Sequence, residues 1–126
     1  MEARVLIVED EALIALHLEQ IITDCGHRVV GIAFDAEEAR ALAAREHLDL
    51  AFIDMRLRHG ASGLEVAKHL RETYDVPSIM VSGNLSGVRS EAAGLQTIAL
   101  IGKPFMPATI VGALELAIRE LRGYKP

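Results

Sequence analysis

The sequence predicts an α/β fold built on a central parallel sheet. Short apolar runs of strand length alternate along the chain with segments whose apolar residues recur at helical spacing, and the joins between them are short. This alternation is typical of parallel α/β sheets. Residues 48–54 contain an apolar stretch that ends abruptly on Asp54, which predicts a central strand buried on both faces.

The first strand and the first helix are predicted near the amino terminus. Arg4–Val8 is an apolar run of strand length, and residues 11–25 carry apolar side chains at helical spacing until Gly26, a natural helix stop. Leu13 and Leu16 widen the apolar face of this helix. We expect both leucines to be buried, and docking of a partner on the helix is the alternative.

A second strand and helix follow. Arg28–Ala33 is the predicted strand, and Gly31 within it favours a position at the edge of the sheet. Asp35 followed by Glu38 resembles a capping box, which opens an alanine-rich helix that ends near Glu46.

The next elements come after the central strand. Residues 55–61 are predicted to be a loop, and Ser62 with Glu65 again forms a capping-box pattern, here for a helix that ends near Tyr74. Residues 78–81 are apolar apart from Ser78 and are predicted to form the fourth strand.

The last third of the chain gives a weaker signal before it ends on a clear helix. Residues 83–96 are rich in glycine and favour only a short helix over 86–93, so we expect this segment to be the least rigid part of the fold. Residues 97–101 form the fifth predicted strand. A final helix starts near Pro107 and stops at Gly123, so the sequence predicts five strands and five helices.

Composition limits the classes of protein to which the chain can belong. With 126 residues, 51% of them hydrophobic, we expect one domain with its core at about 3–122 and no output domain. The net charge is −5 and the basic residues are scattered, so we expect no direct contact with nucleic acid. A single cysteine excludes an internal disulfide, and no apolar run approaches the length of a membrane span. We expect a soluble protein of the cytoplasm.

Polar residues follow four of the predicted strands, at the point where each strand ends. Glu9 and Asp10 follow the first strand, Asp54 ends the third, Ser82 follows the fourth and Lys103 comes shortly after the fifth. The carboxyl ends of parallel strands share one edge of a sheet, where open α/β sheets bind their ligands. We therefore expect three carboxylates, a hydroxyl and an ammonium to converge there.

These groups suit phosphoryl chemistry. Clustered carboxylates either raise a pKa or bind a hard cation, and Asp10 and Asp54 suit Mg²⁺. Lys103 and Ser82 would supply a point charge and a hydroxyl donor to a phosphoryl group. Asp54 is then predicted to be a nucleophile that forms an acyl phosphate. Taken singly, each of these residues also fits an ordinary turn or an exposed position, and only their joint order favours a site.

The sequence resembles the receiver domain of bacterial two-component response regulators. In that family the sheet is doubly wound in the flavodoxin-like order 2-1-3-4-5. The first half of the chain and the region around Asp35 resemble receivers of general-stress regulators of alphaproteobacteria. The matching stretches are Val5-Leu6-Ile7-Val8-Glu9-Asp10-Glu11, Phe52-Ile53-Asp54-Met55, Gly63-Leu64-Glu65, Val81-Ser82-Gly83 and Gly102-Lys103-Pro104-Phe105.

The resemblance implies a metal site and a phosphoacceptor. It makes Asp54 the residue that receives the phosphoryl group, and it assigns Mg²⁺ to Glu9, Asp10, Asp54 and the backbone carbonyl of Arg56. The protein would then be no enzyme beyond its own phosphorylation and dephosphorylation.

The resemblance also implies contacts to the phosphoryl group and a set of partners. Ser82 would be the switching hydroxyl, Lys103 the phosphate-contacting ammonium and Gly83 a further phosphoryl contact, with a cis peptide between Lys103 and Pro104. The phosphoryl group would come from a sensor histidine kinase or a phosphotransfer protein. An unidentified downstream protein would receive the signal by contact, with no nucleic acid and no membrane involved, and a homodimer is left open.

Several positions depart from the family pattern. Leu100 stands where the family has an aromatic switch residue, the loop 57–61 lacks the usual proline and is one residue longer, and residues 83–94 match poorly. We expect the switch to lie in 83–94 rather than at residue 100. A pseudo-receiver that binds partners without phosphorylation is the alternative function. A phosphatase of the haloacid-dehalogenase type is a third, opposed by Arg56 at its second acidic position.

Overall fold

The apolar runs of the sequence pair as a five-stranded parallel sheet. The computed structural model describes residues 1–57, 60, 62–84 and 97–123. The strands are β1 Arg4–Val8, β2 Arg28–Ala33, β3 Leu50–Asp54, β4 Ser78–Ser82 and β5 Ala99–Gly102. Their order in the sheet is β2-β1-β3-β4-β5, which confirms the predicted doubly wound topology and the edge position of β2.

Helices cover both faces of the sheet. The described residues contain four helices, not the five predicted, and the remaining prediction, over 86–93, lies outside the described residues. None of these four helices is both long and apolar enough to cross a membrane. The helices are α1 Ala12–Asp24, α2 Ala36–Arg45, α3 Gly63–Tyr74 and α4 Pro107–Leu121.

Two further predictions, on the loop after β3 and on the glycine-rich segment 83–96, concern residues that lie partly outside the described part of the chain. Positions 58, 59 and 61 belong to the loop after β3, and positions 85–96 belong to the glycine-rich segment. The predicted extra residue of that loop and the predicted low rigidity of that segment therefore remain predictions.

The two predicted helix starts are confirmed at their N-caps. The Asp35 carboxylate accepts a hydrogen bond from the backbone N–H of Glu38, at 2.8 Å, and opens α2. The Ser62 hydroxyl accepts from the N–H of Leu64, at 3.2 Å, and opens α3. Each side chain satisfies one of the backbone donors that a helix start leaves unpaired, which fixes where the helix begins.

Successive residues of each strand belong to two different cores. Phe52 belongs to the core shared with α1 and α4, and its neighbour Ile53 belongs to the core shared with α2 and α3. Side chains alternate between the faces of a sheet, so a strand with a layer of helices on each side must be apolar at every position. This explains why residues 50–53 form an unbroken apolar run.

The central strand begins at Leu50, the first residue of its apolar run. The Asp49 carboxylate before it accepts a hydrogen bond from the backbone N–H of Arg4, at 2.8 Å. The fifth strand begins at Ala99 rather than at residue 97 and ends at Gly102, one residue beyond the predicted end. The carboxyl ends of β3 and β5 thus lie within one residue of their predicted positions.

The expected burial of Leu13 and Leu16 is wrong. Leu13 is 83% exposed and Leu16 is 54% exposed. Helix α1 lies on the sheet with a single face, and the two leucines lie on the side turned away from it. The buried side chains of α1 are Ala15, Leu18, Ile21 and Ile22.

Candidate functional site

Backbone hydrogen bonds hold the polar residues together at the carboxyl edge of the sheet. The N–H of Glu9 donates to the carbonyl of Ala33, at 2.9 Å, and the N–H of Lys103 donates to the carbonyl of Ser82, at 2.8 Å. These bonds continue the sheet beyond the last residues of β1 and β5. They fix the directions in which the side chains leave the sheet, and the predicted convergence on one edge is confirmed.

Three carboxylates form the centre of the site. Glu9, Asp10 and Asp54 each offer one carboxylate oxygen, and these oxygens all lie within 4.8 Å of one another. Glu9 and Asp54 are buried, with 1% and 7% of their surface exposed, and Asp10 is half-buried. Like charges at this separation repel one another unless a cation lies among them.

Lys103 supplies a positive charge to two of these carboxylates. Its Nζ donates a hydrogen bond to Asp54 Oδ2, at 3.0 Å, and lies 2.7 Å from Glu9 Oε1. Burial lowers the pKa of Lys103, but the two carboxylates more than offset this and raise it above its usual value of 10.5. The side chain therefore stays an ammonium ion in the site.

The Glu9 carboxylate keeps acceptor capacity for a further ligand. Its Oε2 accepts a hydrogen bond from the N–H of Glu11, at 3.1 Å, and its buried Oε1 lies 2.7 Å from the Lys103 ammonium, with no other polar partner among the described residues. Burial raises the pKa of Glu9 from 4.5 to about 7; Lys103 and the Glu11 N–H lower it, and the charge of Asp54 raises it further. A buried oxygen with spare acceptor capacity, beside two more carboxylates, fits a hard divalent cation.

Asp54 lies at the floor of an open cleft of about 450 Å³. Its Oδ1 accepts a hydrogen bond from the N–H of Arg56, at 3.1 Å, and its Oδ2 accepts the one from Lys103. The carboxylate is thus held from two sides while one face remains open to the cleft. Such an oxygen can act as a nucleophile toward a group that enters from solvent.

Ser82 and Gly83 form one wall of the cleft. The Ser82 hydroxyl is buried and accepts a hydrogen bond from the N–H of Asn84, at 3.1 Å, so its own proton remains for donation to a ligand. Gly83 is exposed at the rim, and no atom of the described residues, its two chain neighbours aside, lies within 4 Å of where its Cβ would be. Asp54 stands opposite Val81 in the pairing of β3 with β4, and Ser82 and Gly83 follow directly after Val81.

Some residues of the site were not singled out from the sequence. Glu11, Leu57 and Asn84 also line the cleft, and Glu11 holds Glu9 through its backbone N–H. Their proximity to predicted strand ends was the available signal. Contacts made by backbone N–H groups leave no mark in residue type, so sequence reasoning had no means of assigning them.

Leu100 lies away from the cleft. It is half-buried, packs against the core shared with α2 and α3, and stands opposite Met80 in the pairing of β4 with β5. The peptide bond between Lys103 and Pro104 is cis, as predicted.

Known proteins resemble this chain over nearly its whole length. A family model described as the response regulator receiver domain matches residues 5–115. The phyllosphere-induced regulator PhyR of Methylorubrum extorquens is 36% identical in an alignment of 123 residues, and the match covers 94% of this chain and 44% of PhyR. The chain spans about half the length of the curated relatives it matches.

Solved structures show the same architecture. The response regulator PhyR of Brucella abortus superposes with a TM-score of 0.88 at 29% identity, over 98% of this chain and 50% of PhyR. A CheY-like receiver domain protein of Methanospirillum hungatei superposes with a TM-score of 0.87 at 26% identity, over 98% of both chains.

Proposed function

Since this chain belongs to the response regulator receiver domain family, we propose that it accepts a phosphoryl group on Asp54 and signals through contacts with other proteins. The observation that carries the proposal is the position of Lys103, whose Nζ joins the carboxylates of Asp54 and Glu9 at the floor of an open cleft. A buried ion pair that served stability alone would not require a second buried carboxylate or an opening to solvent.

Asp54 is the nucleophile of the proposed reaction. Its carboxylate oxygen forms a bond to the phosphorus of a phosphorylated imidazole, the bond from phosphorus to the ring nitrogen breaks, and the imidazole keeps the electron pair. Lys103 already donates to Asp54 Oδ2 and is within reach of a phosphoryl oxygen attached there. The Ser82 hydroxyl can donate to another phosphoryl oxygen from the wall of the cleft.

The residues that would hold Mg²⁺ are Glu9, Asp10, Asp54 and the backbone carbonyl of Arg56. Bound there, Mg²⁺ offsets charge on the phosphoryl oxygens as the transfer proceeds. The carboxylate cluster supports this assignment, and so does the buried Glu9 Oε1, whose close polar partner among the described residues is Lys103 alone. Lys103 offsets part of the same negative charge while it pairs with the carboxylates.

The phosphodonor is proposed to be a sensor histidine kinase or a phosphotransfer protein that docks beside the cleft. Leu13 and Leu16 are exposed on α1, the helix that follows Glu11 at the rim of the cleft. Met106 is 70% exposed, and Phe105 before it stacks on His17 of α1, with ring centroids 5.5 Å apart. A donor that reaches Asp54 would rest on this apolar surface, in line with the alternative that the sequence offered for Leu13 and Leu16, docking of a partner on the helix.

Incubation with acetyl phosphate and Mg²⁺, followed by intact-mass measurement, tests the proposal. The wild-type protein should gain one phosphoryl group and Asp54→Asn should gain none. Asp49→Asn is the matched control, because Asp49 precedes the same strand at its other end and should leave phosphorylation intact. An unmodified wild type, or a modified Asp54→Asn protein, would refute the phosphoacceptor role.

Leu100 favours a second candidate, a pseudo-receiver that binds its partner without phosphorylation. Its side chain is apolar, packs into a core and offers no ring edge or hydroxyl that could distinguish two states of the site. In this case the chain would bind its partner with the same affinity before and after treatment with acetyl phosphate and Mg²⁺. A change of affinity that Asp54→Asn abolishes would exclude it.

A further inference from the structure

Gly63, the first residue of α3, lies directly against the backbone of Asp54. A Cβ built on Gly63 would collide with the carbonyl oxygen of Asp54 and would lie 2.8 Å from its carbonyl carbon and 2.9 Å from Cα of Met55. All three atoms belong to the main chain, which cannot rotate away as the end of a side chain can. The first turn of α3 therefore occupies the space immediately beside the peptide that carries Asp54.

Hydrogen bonds join the end of β3 to the start of α3. The N–H of Gly63 donates to the carbonyl of Met55, at 2.9 Å, and Arg56 pairs with Ser62 in an antiparallel bridge. The N–H of Arg56 also donates to Asp54 Oδ1, at 3.1 Å. A displacement of α3 would thus be passed both to the Asp54 carboxylate and to Arg56.

Backbone conformation does not explain the glycine. The glycines with positive φ among the described residues are Gly26, Gly60 and Gly123, and Gly63 is not one of them. At the start of a helix alanine is conformationally at least as favourable as glycine. The contact with Asp54 is therefore what excludes a side chain at position 63.

We infer that Gly63 is a positioning residue for phosphoryl transfer. By lacking a side chain it lets α3 close on the Asp54–Met55 peptide, and this contact holds the Asp54 carboxylate in register with Lys103 and with the carbonyl of Arg56. The inference rests on the proposed phosphorylation of Asp54 and adds a residue that touches neither the phosphodonor nor the metal.

Gly63→Ala tests the inference. A misplacement of a reacting group by one ångström can cost about a hundred-fold in rate, so phosphorylation by acetyl phosphate and Mg²⁺ should slow by about that factor. The affinity for Mg²⁺, followed by NMR in the absence of phosphodonor, should fall as well. Circular dichroism should show a folded protein.

Two matched variants separate positioning from stability. Ser62→Ala removes the N-cap of the same helix without adding an atom beside Asp54, and Gly31→Ala adds a Cβ whose nearest contacts are with the Leu42 side chain rather than with main chain. Both should keep the wild-type rate and the wild-type Mg²⁺ affinity. An equal loss in Ser62→Ala, or a wild-type rate in Gly63→Ala, would overturn the inference.

A measurement on the wild-type protein covers the case in which Gly63→Ala does not fold. Beryllium fluoride with Mg²⁺, a phosphoryl mimic, should slow hydrogen exchange at the Gly63 N–H, and an unchanged rate would overturn the inference. If the wild type takes no phosphoryl group from acetyl phosphate, the proposed function fails. The effect of Gly63→Ala on Mg²⁺ affinity still decides whether Gly63 positions the site.

Discussion

The two edges of the sheet differ in how their charged side chains are paired. At the carboxyl edge, the buried carboxylates of Glu9 and Asp54 share the one ammonium of Lys103. At the amino edge, Arg4 pairs with a single carboxylate: its Nη2 lies 3.0 Å from Glu46, and its Nε donates to the carbonyl of His47 at 2.8 Å. The carboxyl edge therefore gathers several carboxylates around one cation, whereas the amino edge matches the Arg4 cation to one carboxylate.

The same two strands, β1 and β3, connect these edges. Each strand therefore has residues that stabilise the fold at one end and residues of the candidate site at the other. β1 runs from Arg4 to the residue before Glu9, and β3 runs from the residue after Asp49 to Asp54. The Asp49 carboxylate accepts a hydrogen bond from the N–H of Arg4 and so stabilises the fold, whereas the Asp54 carboxylate lies close to two other carboxylates. Local conflicts of this kind occur at functional sites and are offset elsewhere in a fold. Substitutions at the two edges should therefore have different consequences.

The largest expected effect is a pH dependence of opposite sign at the two edges. Burial raises the pKa of Glu9 from 4.5 to about 7, so over this interval the folded protein holds a proton that the unfolded chain has released. Its contribution to the stability of the metal-free protein is complete below pH 4.5 and is lost as the pH rises through about 7. The loss should be on the order of 3 kcal/mol, and denaturant titrations across this range, compared with Glu9→Gln, measure it.

At the amino edge, His27 gives stability a pH dependence of the opposite sign. Burial and the amino-terminal ammonium lower its pKa below 6.5, and its Nδ1 accepts a hydrogen bond from the N–H of Ala3, which a protonated ring could not do. Its contribution to stability is present above pH 6.5 and is lost as the pH falls through the lowered pKa. His27→Gln should remove this loss of stability at low pH. Stability profiles of Glu9→Gln and His27→Gln that both parallel the wild type would remove the contrast between the edges.

A smaller effect is expected from Mg²⁺, and only at the carboxyl edge. At a free concentration ten times its Kd, a ligand that binds only the folded state adds about 1.4 kcal/mol to stability. Asp10→Asn should lose most of this gain because it removes one of the three clustered carboxylates. Glu46→Gln, an acid of the opposite edge, is the control and should keep it. Thermal unfolding with and without Mg²⁺ provides the measurement, and an unchanged wild-type Tm would contradict the metal site.

The smallest effect is expected for His47, which pairs with Asp49 at 3.2 Å while its side chain is 76% exposed. Exposed ion pairs contribute at most about 1 kcal/mol, so His47→Ala should change the free energy of unfolding by less than this and leave phosphorylation unaltered. Asp49→Ala should cost more, because Asp49 also accepts the N–H of Arg4. Equal effects of the two substitutions, measured by urea unfolding, would show that the exposed pair stabilises the amino edge more than expected.

Much of the fold and of the site was predictable because the determining signals are local. The period of apolar residues distinguishes strands from helices, and the N-caps Asp35 and Ser62 set the starts of α2 and α3. The carboxyl ends of parallel strands necessarily share one edge, so the run that stops at Asp54 and the lysine that follows β5 had to meet there. The sequence alone therefore determined the architecture and the convergence of Asp54 and Lys103 on one edge of the sheet.

Only the tertiary structure decided how those groups interact. Leu13 and Leu18 are the same residue type on one helix, and one is exposed while the other is buried because the sheet reaches only one face of α1. The pKa of Glu9 depends on how deeply it lies beside Lys103, and the need for glycine at position 63 depends on a backbone nine residues earlier in the chain. Burial, charge and close contact at a residue are set by whatever other parts of the chain pack against it, and the local pattern of a sequence carries no record of those distances.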